Sequence, residues 1–98
     1  MTINKELNGN ALTIAVEGRL DTMTAPELEA ELNQSMNSAE TLTLDFSKLD
    51  YISSAGLRVL LVAKKFLTDE NSVRIVNANP LIMEVFKVTG MNEVFTFE

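Results

Sequence analysis

The chain contains no cysteine and no histidine. Without cysteine there are no disulfides, thiolate nucleophiles or Cys-based metal sites. Without histidine, no His-based triad, imidazole base or common zinc site can be built from this chain alone. Long apolar runs are missing too. The longest apolar stretch, Leu57–Leu67, is interrupted by Arg58, Lys64 and Lys65 and is too short to span a bilayer. No G-x-x-x-x-G-K-[ST], G-x-G-x-x-G or G-x-S-x-G motif occurs, and no base is available to activate a serine. An enzyme would have to work through Asp21 and Asp50 as paired carboxylates, with no further residue in support. The sequence therefore argues against catalysis and names no metal or cofactor.

Positive charge is also scarce. Eight basic residues face 14 acidic ones, a formal charge of −6. That balance disfavours nonspecific contact with nucleic acid or an anionic membrane and suits a partner with a basic surface. Met1–Leu7 lacks the basic and apolar regions of a signal peptide, so a soluble cytoplasmic protein is expected. The 98 residues are 46% hydrophobic and 22% charged, which suits one globular domain over 1–98 without linker, repeat or low-complexity segment.

What is present is a readable series of elements. Leu12, Ile14 and Val16 alternate with Thr13, Ala15 and Glu17, the period of a half-buried strand. An extended segment, Thr2–Leu7, precedes it through Asn8-Gly9-Asn10, and Asn-Gly between extended segments predicts an antiparallel hairpin. Thr24 followed by Glu27 matches a capping box, with Pro26 tolerated in the first turn. Leu28, Leu32 and Met36 then give an amphipathic helix. Leu42, Leu44 and Phe46 mark a second alternating strand. After a Ser47–Asp50 turn, a largely buried helix is expected from Leu57 to about Thr68, broken by Asp69–Ser72. Val73–Val76 supplies another strand. Asn79-Pro80 reads as N-cap and first helical residue of a third helix, with Leu81, Ile82, Val85, Phe86 and Thr89 on one side and Gly90 as its stop. Val94–Phe97 closes as a short strand.

The predicted order is β-β-α-β-α-β-α-β. It implies an α/β fold: a mixed sheet of about five strands, with parallel right-handed crossovers and three helices covering one face. The terminal strand and the first hairpin strand are the expected edges.

Ser53 and Ser54 stand where the second helix begins. A serine there can cap the first turn, and the same helix end can hold a phosphate. Gly56 in the first turn costs about 1 kcal/mol relative to alanine, and glycine there allows close approach of another group. Asp21, Thr22 and Thr24 form a second polar cluster before the first helix. A loop leaving the same end of the sheet would bring Asp21 near the serines, with Asp21 and Asp50 as an acidic rim. Plain loop and capping chemistry is the alternative reading for both clusters. Arg58 and Lys65 share one helical face, either as a solvated stripe or as a contact surface near the serines. Met83, Phe86 and Met91 have core spacing.

Three segments together resemble the STAS domain, the anti-sigma factor antagonist family. They are Gly18-Arg-Leu-Asp21 with Thr24-Ala25; Leu44-Asp-Phe-Ser47 with Leu49 and Ile52; and Ser53-Ser-Ala-Gly-Leu57, which is similar to the family's D-S-[ST]-G-L loop. The resemblance spans nearly the whole chain. It implies a bacterial regulator without catalysis of its own. The unphosphorylated form would bind an anti-sigma factor serine kinase and free a sigma factor; phosphorylation would block that binding, and a serine phosphatase is a further implied partner. Laid onto this sequence, Ser54 is the acceptor, with Ser53 the alternative. Asp21, Thr22, Thr24, Ser53, Ser54, Gly56 and Arg58 form the expected contact surface. The chain departs from the pattern at Ser53, where regulated members carry aspartate, at Ala55, and at Arg58, where a small residue is common. Little room is left after Phe97 for the extra C-terminal helix of many members. A monomer or weak dimer is expected. The other readings are a constitutive scaffold whose serines only cap the helix, and a small-ligand or nucleotide-binding module using that helix end as an anion cradle.

Overall fold

The computed structural model describes residues 1–67, 69 and 71–98. Strand β2 (Ala11–Leu20) buries Leu12, Ile14 and Val16 and leaves Thr13, Ala15 and Glu17 half-exposed. β1 (Thr2–Asn8) pairs with it antiparallel, from Thr2 opposite Glu17 to Asn8 opposite Ala11. This register makes Gly9 and Asn10 the central turn residues. Gly9 takes φ +61° at the first central position, as a type II′ hairpin turn requires.

β3 (Thr41–Asp45), β5 (Val73–Val76) and β6 (Thr96–Phe97) extend the sheet in parallel, in the order β1-β2-β3-β5-β6. β1 and β6 are the edges of this path, as the pattern predicts. Among the described residues three helices complete the fold: α1 (Ala25–Ser35), α2 (Ser54–Phe66) and α3 (Pro80–Val88), with single 3₁₀ turns at Met36–Ser38 and Met91–Glu93. Leu28 and Leu32 of α1, Leu57 and Leu60 of α2, and Ile82 and Phe86 of α3 join the sheet's apolar face in one core. Each such side chain contributes about 1.5–3 kcal/mol on full burial. Phe86 meets Phe95 and Phe97 edge-to-face, at 5.9 and 5.0 Å between ring centres.

Asn79 caps α3 as expected: its side-chain oxygen accepts the Ile82 N–H at 2.9 Å, while its amide donates to the Leu49 carbonyl at 3.1 Å. Gly90, at φ +74°, follows the last cap residue Thr89.

Several expectations are corrected. The Ser47–Asp50 segment is not only a turn, because Leu49–Ile52 forms a sixth strand, β4, parallel to the far end of β2. The second helix begins at Ser54, earlier than Leu57, and ends at Phe66; Thr68, its expected end, and Glu70 of the expected break lie outside the described residues. Leu81 is 60% exposed rather than on the packed side of α3, because Ile82 and Phe86 set the buried face. The closing strand covers only Thr96–Phe97, since Phe95 turns into the core.

Candidate functional site

β2 and β4 run side by side, with Leu20 opposite Ile52, and each is followed by a loop and a helix. The loops therefore leave one end of the sheet together. The Ser53 N–H donates to the Leu20 carbonyl at 2.9 Å, so Asp21 and Ser53 follow directly on paired residues. The ladder is irregular between Gly18 and Arg19, where Asp50 has no opposite number. Gly18 absorbs this bulge at φ +97°, and its N–H donates to the Lys48 carbonyl at 2.9 Å.

The Arg19–Thr24 loop is tied to itself. One Asp21 carboxylate oxygen accepts the Met23 and Thr24 amides at 3.0 and 3.2 Å. The Thr24 hydroxyl accepts the Asp21 N–H at 2.9 Å and donates to the Arg19 carbonyl at 2.7 Å. Thr24 thus occupies the N-cap of α1 but forms no side-chain cap, so the predicted capping box is replaced by a turn closed on Asp21. Desolvation pushes the Asp21 carboxyl up. The amides of Thr24 and Met23, the Thr24 hydroxyl and the Arg19 guanidinium together outweigh that push and hold it below its ordinary value.

Arg19 and Tyr51, opposite each other in the ladder, were not singled out from sequence. The Arg19 guanidinium lies 4.3 Å from the Tyr51 ring centre and its Nε 3.6 Å from the Asp21 carboxylate. Their partnership depends on β4, so recognising Leu49–Ile52 as a strand was the signal that could have found it. Asp50 is exposed in β4, and the Asp21 carboxylate is paired with Arg19.

Ser53 is the N-cap residue of α2, with extended backbone at φ −102°, ψ 176°, and its carbonyl accepts the Leu57 N–H at 3.0 Å. Its hydroxyl forms no cap: the oxygen is buried without a hydrogen-bond partner among the described residues. The first turn carries no acidic side chain. Ser54, the first helical residue, is exposed, and its hydroxyl makes no hydrogen bond among the described residues.

Gly56 is buried, set into the core rather than on a contact surface. A Cβ there would stand 2.7 Å from Leu20 Cγ and 3.0 Å from Ile52 Cγ1, so the close approach is between the helix start and the ends of β2 and β4. Beside it, a groove of about 230 Å³ separates α1 from α2. Thr22, Ala25, Pro26 and Glu29 line one bank, and Ala55, Arg58 and Val59 the other. A larger hollow of about 480 Å³ lies over the sheet, lined by Asn4, Lys5, Glu6, Thr13, Ala15 and Asp45, and holds none of the sequence-predicted site residues. Among the described residues, no group of three or more acidic, His or Cys side chains is placed to hold a metal ion, and no helix is long and apolar enough to cross a membrane.

The comparisons with known proteins agree with this architecture. Residues 3–96 match the family model described as "Mlab, STAS domain". The candidate anti-sigma factor antagonist BtrV of Bordetella bronchiseptica is 38% identical over 86 residues, 86% of this chain and 74% of that protein. The solved structure of an anti-sigma factor antagonist from Mycobacterium paratuberculosis superimposes with a TM-score of 0.86 at 26% identity, covering 98% of this chain and 83% of that one. The anti-sigma factor antagonist SpoIIAA in its unphosphorylated form gives 0.84 at 18% identity, covering 99% and 88%. With its β2–α1 and β4–α2 loops meeting at one end of a mixed sheet, the chain belongs to the STAS domain family, that of the anti-sigma factor antagonists.

Proposed function

We propose that this chain is an anti-sigma factor antagonist controlled at Ser54. In its unmodified form it binds an anti-sigma factor that is also a serine kinase, and a sigma factor is released. The kinase then transfers the γ-phosphoryl group of ATP to the Ser54 oxygen, ADP leaves, the hydroxyl proton is lost, and binding ends. A serine phosphatase restores the hydroxyl. The role is regulatory and cytoplasmic, and the chain binds its partner without transforming it.

The observation that carries this reading is the state of the two hydroxyls at the start of α2. Ser54 is exposed and unengaged at the first helical position, and Ser53 occupies the N-cap without capping. A helix end left in that state accepts an anion readily, because its N–H groups lack partners and the dipole favours negative charge. The scaffold reading needs a serine hydroxyl bonded to the first turn, and neither serine supplies one. The named relatives with more than a quarter of the aligned residues identical are described as anti-sigma factor antagonists, BtrV as a candidate, which supports the same role.

A phosphate adds about −1.5 to −2 charges and several strong acceptors. At this position it leaves the fold intact and alters the surface offered to a partner. Each 1.4 kcal/mol of lost interaction is about tenfold in affinity. The test is binding to the cognate kinase with Ser54→Glu and Ser54→Ala. The glutamate variant is expected to lose binding at least tenfold with an unchanged melting temperature, and the alanine variant to bind and resist phosphorylation. Full binding by Ser54→Glu, or phosphate uptake by Ser54→Ala on intact-mass analysis, would refute Ser54 as the control point.

A further inference from the structure

The groove between α1 and α2 carries a cation that the switch at Ser54 leaves unassigned. Arg58 lines the groove, is exposed, and has no ion-pair partner among the described residues. The other arginines are committed: Arg19 to Asp21 and the Tyr51 ring, Arg74 to Glu98 at 3.2 Å. Ser54 and Arg58 are four residues apart in α2, so they are neighbours on one helical face. Helical side chains lean toward the N-terminus, so the turn that carries Ser54 is within reach of the Arg58 side chain. No acidic side chain stands in that first turn to compete for it. Glu29, on the opposite bank, is the one carboxylate among the residues lining the groove.

We infer that Arg58 is the clamp of the modified form. Resting on the reading of Ser54 as phosphoacceptor, the guanidinium pairs with the phosphate across one helical turn, while the free N–H groups at the start of α2 are the remaining donors nearby. Arginine suits the task because its planar fork meets two phosphate oxygens at once. Phosphorylation then changes the groove twice: an anion is added at Ser54, and the free cation on the rim is withdrawn into an intramolecular pair. A partner that placed an acceptor against Arg58 loses that contact when the phosphate arrives.

The experiment installs phosphoserine at position 54 during translation, so that no kinase is needed, and follows the phosphate by ³¹P NMR against pH. Free phosphoserine loses its second proton near pH 6. The helix end acts on the phosphate in every variant, so the difference between variants isolates Arg58. The second phosphate pKa is expected about 0.3 unit lower in the natural sequence than in Arg58→Gln, as a helical i,i+4 ion pair of ordinary strength gives. Arg58→Lys is expected to fall between them, and the difference to shrink in 1 M salt. Arg58 is exposed, so both variants keep the fold, checked by circular dichroism. Identical titrations in the natural sequence and Arg58→Gln would overturn the clamp. That result would leave the reading of Ser54 standing, whereas absence of phosphate at Ser54 under the cognate kinase would remove the reading itself.

Discussion

Replacing Gly56 by alanine sets two effects of opposite sign against each other. In an ordinary helix the change is favourable by about 1 kcal/mol, because alanine has less backbone freedom to lose. Here the new methyl carbon would stand 2.7 Å from Leu20 Cγ, 3.0 Å from Ile52 Cγ1 and 3.1 Å from Leu20 Cδ2. Leu20 is fully buried and the nearest contact is at its branch point, so the leucine cannot swing aside. Overpacking of this kind costs about 1–3 kcal/mol. The steric cost wins, and Gly56→Ala is expected to destabilise the domain by about 1 kcal/mol net. For a domain near this size that lowers the melting temperature by about 4–8 °C. The same displacement would move the start of α2, and Ser54 with it, off the strand ends. Urea unfolding of Gly56→Ala, Leu20→Ala and the double variant measures the conflict directly. The alanine at 56 should cost little once Leu20 is trimmed, a non-additivity that only neighbouring groups show. A Gly56→Ala protein more stable than the parent would refute the close approach, since helix propensity would then act alone.

Two other outcomes follow from the hydrogen-bond pattern. Ser53→Ala should be neutral or slightly stabilising by urea midpoint, because a buried hydroxyl without a partner is better removed; a loss of about 0.5–2 kcal/mol would mean that it caps α2 after all. At Asp45, the Ser47 amide at 3.0 Å and the Asn77 side chain at 3.1 Å hold the carboxyl below its ordinary 3.8. Its folded value lies below the unfolded one, so its contribution is present above about pH 4 and is lost as pH falls through the depressed value. The acid loss of stability should therefore be smaller in Asp45→Asn than in the parent, and equal pH profiles would contradict it.

Most of the fold was legible because the signals were local. Leu12–Val16 and Leu42–Phe46 alternate at the strand period, and Asn79-Pro80 and Gly90 bracket α3 by chemistry that acts within a few residues. β4 was not legible. It has four residues, only Leu49 and Ile52 are buried, and its partner lies about thirty positions earlier. Its pairing across a bulge is a tertiary event without a periodic trace. Arg19 and Tyr51 were hidden for the same reason. The capping box at Thr24 failed because the Asp21 carboxylate takes the Thr24 amide that Glu27 would have accepted. The threonine hydroxyl is held by the Asp21 amide and the Arg19 carbonyl, which leaves the Glu27 amide to the Thr24 carbonyl. Gly56 was rightly read as a close-approach position, but a sequence does not say whether what approaches is a partner or the protein's own Leu20.

The way the two loops are held bears on how a phosphate at Ser54 would act under the proposed switch. The Ser53 amide is bonded to Leu20, Gly18 to Lys48, and the Asp21 loop closes on its own threonine and amides. Gly56 lets α2 sit against both strand ends with no room to slide inward. Under the proposed switch a charge added at Ser54 therefore meets a backbone that is already tied down, and the N–H groups at the helix start accept it without strain. Under the proposed switch the effect of the phosphate falls on the surface shared with a partner, where the added anion and the withdrawal of Arg58 both remove contacts. A switch of this form depends on rigidity: the better the loops are fixed, the more of the phosphate's effect falls on binding and the less on folding. Substitutions that loosen the Asp21 turn should accordingly blunt the discrimination between modified and unmodified forms before they unfold the domain.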